Sequence, residues 1–125
     1  SVTVMYAGSI VEKGSIEAIL SRPRMPYTIG LLHSIPTIDD ESEHRDVLPI
    51  IPGQVPDPNL HFDGCRFHPR CPFADELCIS TPPPMIEVEP GHFAACHHTS
   101  RTENVVDVQG SFDVFAAEYV LKGVA

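Results

Sequence analysis

The sequence predicts a small α+β domain, irregular and rich in proline, with an N-terminal β-hairpin, short helices and a cysteine-ligated loop region. Branched and aromatic residues alternate with other types over residues 2–7, which is typical of a β-strand. All 13 prolines lie between Pro23 and Pro90. Each proline removes a backbone donor and fixes φ, so long regular elements are not expected in that interval. Residues 59–98 contain all four cysteines.

The first element is predicted to be a hairpin. Val2–Ala7 forms its first strand, Gly8 and Ser9 form a two-residue turn of type II′, and Ile10–Lys13 returns as the second strand. The two strands are expected to be the edge of a larger sheet. Because an isolated two-stranded ribbon is only marginally stable, the hairpin is expected to be poorly satisfied alone and to self-associate or swap with a neighbouring copy.

Two short helices are predicted after the hairpin. Ser15 can cap the first, whose apolar face would combine Ile16, Ile19 and Leu20, and Pro23 ends it. The second helix is predicted to begin with Pro26 at its first position and to run to about residue 34.

Charge and motifs limit the function classes. Seventeen acidic against eight basic residues give a net charge of −9, which is the wrong sign for binding nucleic acid or anionic lipid. Five acidic residues between positions 38 and 46 are expected to form a solvated loop. No G-x-x-x-x-G-K-[ST] loop is present, so this chain is not expected to bind or hydrolyse ATP and is predicted not to be an enzyme by itself.

The cysteines are the strongest chemical signal in the sequence. They are spaced C-x5-C-x6-C-x17-C and are Cys65, Cys71, Cys78 and Cys96. Structural zinc favours paired C-x2-4-C units, which this spacing lacks, whereas iron–sulfur clusters accept looser spacing. From spacing alone a cluster, a zinc ion and metal-free cysteines remain comparable interpretations.

The residues beside the cysteines suggest how the negative charge of a thiolate-bound centre would be offset. Cys71 followed by Pro72 is predicted to be a helix N-cap, where the helix dipole would favour a thiolate. Arg66 and Arg70 could offset the negative charge of a thiolate centre, or could pair with nearby surface carboxylates. Four histidines are alternative ligands, although a structural role is commoner for each of them. They are His68, His92, His97 and His98.

Four ordered motifs resemble the ATP-binding subunits of oligopeptide and dipeptide ABC importers. Residues 4–14 look like the last strands of a nucleotide-binding domain, after its switch histidine. Residues 23–32 resemble "HPYT-x-GLL", with Met25 in place of the histidine, which would remove any polar role there. Residues 51–56 match "IPG-x-x-P", and residues 64–71 match "GC-x-F-x-x-RC". The resemblance covers about Val2 to His98.

The resemblance implies the C-terminal accessory portion of such a subunit. Residues 1–22 would end the nucleotide-binding domain, residues 23–98 would form the four-cysteine domain, and residues 99–125 would be a tail that is helical from Ser111. The phosphate loop, signature motif, catalytic glutamate and switch histidine would lie upstream of Ser1. We therefore expect a piece of a larger protein or a processed product.

The same resemblance implies partners, a cofactor and a location. The partners would be the rest of the ATPase subunit, a second ATPase subunit and the transmembrane permease subunits, at the cytoplasmic face of the cell membrane. Some family members carry a [4Fe-4S] cluster on these cysteines, which makes Cys65, Cys71, Cys78 and Cys96 the implied cofactor and metal ligands, with zinc or no metal as alternatives. ATP would bind only in the parent subunit.

Two other classes of function compete with this interpretation. One is a stand-alone iron–sulfur or zinc module without a transport role. The other is a thiol-dependent redox enzyme that uses Cys96 and His97.

Overall fold

The computed structural model describes residues 1–34, 51, 53–57 and 59–103. Four strands and several short helices confirm the α+β class. The acidic run at 38–46 and the helix expected from Ser111 lie outside the described residues. In chain order the elements are β1 (Val2–Tyr6), β2 (Ser9–Gly14), α1 (Ile16–Ser21), α2 (Pro26–His33), a 3₁₀ turn (His68–Arg70), α3 (Glu76–Ser80), β3 (Met85–Glu89), β4 (His92–Ala95) and α4 (Thr99–Thr102).

The N-terminal hairpin forms, but its turn lies one residue earlier than the sequence suggests. Tyr6 pairs with Ser9, so the loop residues are Ala7 and Gly8. Both have positive φ, 48° and 84°, as a type I′ turn requires, and this turn matches the twist of the flanking strands. The expected type II′ turn at Gly8 and Ser9 is therefore wrong.

A four-stranded antiparallel sheet contains the hairpin. Its strand order is β1-β2-β4-β3, and Glu12 of β2 faces Ala94 of β4 in the register. The hairpin is not an isolated ribbon, because β2 is an inner strand paired within this chain. The expectation that the hairpin forms the edge of a larger sheet is confirmed. The expectation that it is poorly satisfied alone is wrong, and self-association remains a prediction. The pairing also joins residues on both sides of the predicted boundary between positions 22 and 23.

The first two helices begin where the sequence predicts. The Ser15 hydroxyl accepts a hydrogen bond from Ala18 N at 3.0 Å and caps α1. Its predicted apolar face is only partly buried, because Ile19 is 3% exposed but Ile16 and Leu20 are 60% and 58% exposed.

Met25 retains a polar contact at the start of α2. Its Sδ accepts a hydrogen bond from Tyr27 N at 3.0 Å, and Pro26 occupies the first helical turn. Replacing the family's histidine at this position therefore does not remove every polar role, which corrects the sequence-based expectation.

The core joins the hairpin to α2 and to the cysteine segment. Phe67 is 1% exposed and forms an aromatic group with Tyr6 and Tyr27, whose ring centroids are 4.6 to 5.5 Å apart. Cys71 belongs to the same buried cluster, and Cys65 and Cys96 pack against it. The cysteine segment is thus held against the sheet by apolar contacts.

A fully buried carboxylate fixes the loop between α1 and α2. Glu12 accepts hydrogen bonds at 2.9 Å from the backbone N–H groups of Arg24 and Met25. It also accepts one from His92 Nε2, at 2.5 Å. One side chain of β2 therefore holds β4 and the start of α2 together.

Candidate metal centre

The four predicted ligands come from four different local structures. Cys65 lies in the loop before the 3₁₀ turn, Cys71 at the end of that turn, Cys78 within α3, and Cys96 directly after β4. The backbone N–H of Cys65 donates to Cys78 O at 2.8 Å, which ties the first loop to α3. All four thiols are free, so no disulfide links them.

The electrostatics of the thiols indicate that they share one neighbourhood. Burial raises the pKa of Cys71 strongly, and the nearby thiolates of Cys96, Cys65 and Cys78 add to the rise. Burial likewise raises the pKa of Cys96 to about 11, with further contributions from Cys65 and Cys78. The structure therefore places the four cysteines in one region, with Cys71 and Cys78 buried and Cys65 and Cys96 half-buried.

Backbone N–H groups point at three of these sulfurs. Phe73 N donates to Cys71 Sγ at 3.4 Å, and His98 N donates to Cys96 Sγ at 3.3 Å. Burial raises the pKa of Cys65, and hydrogen bonds from the backbone N–H groups of residues 67 and 68 oppose that rise. Hydrogen bonds of this kind favour the thiolate and tune thiolate-bound centres.

Cys71 does not have the helical position that the sequence suggests. It caps the C-terminal end of the 3₁₀ turn rather than the N-terminal end of a helix. Burial dominates its chemistry, so its pKa rises instead of falling. The expected thiolate stabilisation by a helix dipole is therefore wrong.

The two arginines beside the cysteines bind backbone and aromatic groups of the core. Arg66 donates to Ala7 O at 3.0 Å. Arg70 donates to the Tyr6 hydroxyl at 3.2 Å and to Ile51 O at 3.1 Å. These contacts anchor the cysteine segment to the hairpin.

The four histidines have distinct surroundings. The His68 ring packs edge-on against Phe62, His92 is bonded to Glu12, and His97 Nε2 donates to Thr81 O at 2.7 Å. His98 Nε2 lies 2.8 Å from Asp75 Oδ2.

Asp75 is a potential ligand that was not predicted from the sequence. It caps α3 by accepting a hydrogen bond from Cys78 N at 3.1 Å. The signal was present, because an aspartate three residues before Cys78 has the spacing of a helix N-cap. Among the described residues, Asp75, Cys78 and His98 form a group whose ligand atoms all lie within 4.8 Å of one another.

Four thiols in one region of the fold are donors of the type that iron–sulfur clusters use. In the described part of the chain, no three of their sulfurs lie within 4.8 Å of one another. Tetrahedral zinc with Zn–S bonds near 2.3 Å needs sulfurs about 3.8 Å apart, whereas a multi-iron cluster holds its thiolates further apart. Three of the sulfurs accept hydrogen bonds from backbone N–H groups, which favour the thiolate. A bound metal centre would supply the positive charge that a buried thiolate needs.

Of the four cysteines, Cys65 lines a pocket on the surface of the domain. This pocket of about 210 Å³ lies between the hairpin and the segment that contains Pro82 and Pro83, and Arg66, Ile10 and Phe62 also line it.

None of the helices in the described part of the chain has the length and hydrophobicity of a membrane-spanning helix.

The fold and the site together define a small α+β domain whose four cysteines lie in loops and a short helix beside a four-stranded sheet. The family model for the C-terminal region of oligopeptide/dipeptide transporters matches residues 11–78, which is more than half of the chain. The chain therefore belongs to this family, and the resemblance seen in the sequence is confirmed.

Curated relatives agree with this assignment. A peptide import ATP-binding protein of Brucella abortus (strain 2308) is 45% identical over 103 residues, which cover 82% of this chain and 30% of that protein. A peptide ABC transporter ATP-binding protein of Sinorhizobium fredii (strain NBRC 101917 / NGR234) is 42% identical over 104 residues, covering 83% and 30%. The chain thus spans less than a third of the length of these relatives.

Proposed function

We propose that this chain is the C-terminal accessory portion of the ATP-binding subunit of a peptide ABC importer. The observation that carries the proposal is the family match over residues 11–78 together with relatives named as peptide import ATP-binding proteins. In this role the chain helps to couple ATP hydrolysis elsewhere in the subunit to the uptake of oligopeptides or dipeptides. The chain itself neither binds nor hydrolyses ATP, because its sequence has no phosphate-binding loop.

The partners follow from the same proposal. They are the remainder of the ATP-binding subunit, a second ATP-binding subunit and transmembrane permease subunits, with the assembly at the cytoplasmic face of the membrane. A net charge of −9 supports the absence of nucleic acid from this set.

We infer that Cys65, Cys71, Cys78 and Cys96 hold a [4Fe-4S] cluster in this domain. The backbone N–H groups directed at three of the sulfurs support a thiolate centre. The C-x5-C-x6-C-x17-C spacing, which lacks the paired units of structural zinc sites, favours a cluster over zinc. A cluster would supply the positive charge that converts the buried thiols into thiolates, and would cross-link the loop, α3 and the end of β4. Its expected role is structural, because a segment rich in proline has few long elements to order it.

Anaerobic isolation tests the cluster. We expect brown protein that contains iron and sulfide, and loss of both when any one of the four cysteines is changed to serine. The matched control is His97→Gln, which alters an alternative ligand whose ring already binds Thr81 O. Iron that persists in Cys71→Ser, or that is lost equally in His97→Gln, would show that the ligand set is wrong.

Transport measurements test the accessory role. In membrane vesicles that contain the complete importer, Cys71→Ser should lower peptide uptake while the subunit's ATP-binding machinery remains intact. The chain alone should show no shift in its unfolding temperature with Mg-ATP. Undiminished uptake in a variant that has lost its iron would separate the cluster from transport, and a nucleotide-dependent shift would contradict the assignment of ATP binding to other parts of the subunit.

The alternative functions receive less support. A redox enzyme that attacks through Cys96 needs a thiolate, but burial raises the pKa of Cys96 to about 11. The His97 ring is engaged with Thr81 O, so it offers no observed activation of that thiol.

A further inference from the structure

Three different types of metal ligand meet beside α3. A carboxylate oxygen of Asp75, the Sγ of Cys78 and a ring nitrogen of His98 all lie within 4.8 Å of one another. Asp75 is exposed, His98 is half-buried and Cys78 is buried, so the group opens to solvent on one side. Carboxylate oxygen, thiolate sulfur and imidazole nitrogen are the donors that zinc accepts in proteins.

Local structure holds the three groups in place. Asp75 Oδ1 accepts the Cys78 backbone N–H at 3.1 Å as the cap of α3, and Oδ2 lies 2.8 Å from His98 Nε2. The distance between ligand atoms in a tetrahedral zinc site is about 3.3–3.8 Å. Since no pair in this group is more than 4.8 Å apart, a cation needs shifts of only about 1 Å to bind all three.

The ring nitrogen of His98 in this group is buried and pairs with the carboxylate of Asp75. His98 Nε2 lies 2.8 Å from Asp75 Oδ2. A cation bound between the imidazole nitrogen and the carboxylate oxygen would replace this contact and still give both groups a partner.

We propose that Asp75, Cys78 and His98 form a second metal site, which takes a zinc-class divalent cation with solvent in the fourth position. Binding releases the proton of the Cys78 thiol to solvent, because the thiolate is the ligand. Cys78 also belongs to the proposed four-cysteine cluster, so the cation and the cluster exclude each other. That exclusion rests on the proposed function, whereas the three-residue site does not.

Titration with Co²⁺ tests the site in the reduced, metal-free full chain. We expect one cobalt ion to bind per chain and to be displaced by Zn²⁺. The visible absorption should be that of a tetrahedral cobalt centre, and the intensity of the thiolate-to-cobalt charge-transfer band should correspond to one sulfur ligand. Asp75→Asn and His98→Gln should each weaken binding about tenfold or more. Asparagine also caps helices, so the first variant removes the carboxylate while keeping α3.

Two controls separate this site from its neighbours. His97→Gln changes the adjacent histidine, and Cys71→Ser changes only the four-cysteine set; both should bind cobalt within about twofold of the parent chain. Equal affinity in Asp75→Asn and His98→Gln would overturn the proposal. A charge-transfer band with the intensity of several thiolate ligands, lost in Cys71→Ser, would also overturn the proposal, because the metal would then be bound by the four cysteines.

The two proposals fail in different ways. A chain that holds iron anaerobically but shows no cobalt binding sensitive to His98 would retain the cluster and lose the second site. A chain that binds cobalt through Asp75, Cys78 and His98 but never holds iron would do the reverse.

Discussion

Replacing Glu12 by alanine should be among the most damaging single substitutions in this chain. The Glu12 side chain is fully buried and accepts hydrogen bonds from Arg24 N, Met25 N and His92 Nε2. Alanine leaves two buried backbone N–H groups without an acceptor, which costs about 1–3 kcal/mol each. It also leaves the buried His92 Nε2 without its hydrogen-bond partner. Removing one partner of a buried pair costs about 3–5 kcal/mol, so we expect a loss of that size in the free energy of unfolding.

Urea denaturation measures this loss. With a slope of about 2 kcal/mol per molar urea, a loss of 4 kcal/mol lowers the midpoint by about 2 M. If the alanine variant does not fold, Glu12→Gln keeps a carbonyl acceptor for one N–H and should lose roughly half as much. The control is Glu17→Ala in the exposed first turn of α1, which should cost less than about 1 kcal/mol. A loss below about 1 kcal/mol for Glu12→Ala, at an unchanged slope, would refute the reasoning.

Three further substitutions test the packing and surface charge. Gly64→Ala places a Cβ 2.1 Å from Cys78 O, so we expect a destabilisation of at least about 1–3 kcal/mol by urea denaturation and lower iron content after anaerobic isolation; near-parent values of both would contradict this contact. Phe67→Ala empties the centre of the aromatic group and should cost about 3–5 kcal/mol, measured in the same way. Arg22→Ala should return the pKa of Glu89, which the Arg22 hydrogen bond lowers from 4.5, toward its ordinary value in an NMR titration. The pKa of Glu89 is lower in the folded chain than in the unfolded chain. The Arg22–Glu89 contact therefore stabilises the fold at pH values above the unfolded-state pKa of Glu89, and this stabilisation is lost as the pH falls through the folded-state pKa.

Local patterns were sufficient for the N-terminal elements. Alternation over residues 2–7, the Ser15 cap and Pro26 as a first helical residue each depend on neighbours within a few positions, and the structure contains the elements they predict. The turn was displaced by one residue because Ala7 adopts a positive φ of 48°. Sequence rules assign that conformation to glycine first.

The other two strands of the sheet could not be predicted from local sequence patterns. β3 and β4 are short and lie in or beside the interval containing prolines, and β4 pairs with β2 across about 80 residues of chain. The role of Glu12 was missed for the same reason, since an acidic residue in a strand normally indicates a solvent face. Its partners come from two separate segments, which only the folded chain brings together.

The cysteines illustrate which part of a site spacing can and cannot predict. Their number and loose spacing indicated a possible shared centre, but the surroundings of each thiol depend on tertiary structure. Cys71 was expected at a helix N-terminus and lies instead at the end of a 3₁₀ turn. Asp75 was not predicted as a ligand, yet it contacts Cys78 and His98.

The sheet also links the N-terminal hairpin physically to the fourth cysteine. β4 ends at Ala95, so Cys96 is placed by the strand whose first residue, His92, is bonded to Glu12 of β2. Cys65 and Cys78, in contrast, are tied directly to each other by a backbone hydrogen bond. Loosening the Glu12–His92 contact should therefore displace Cys96 before it disturbs the Cys65–Cys78 pair. If the proposed cluster is bound by all four cysteines, we expect variants that loosen the Glu12–His92 contact to contain less iron after anaerobic isolation.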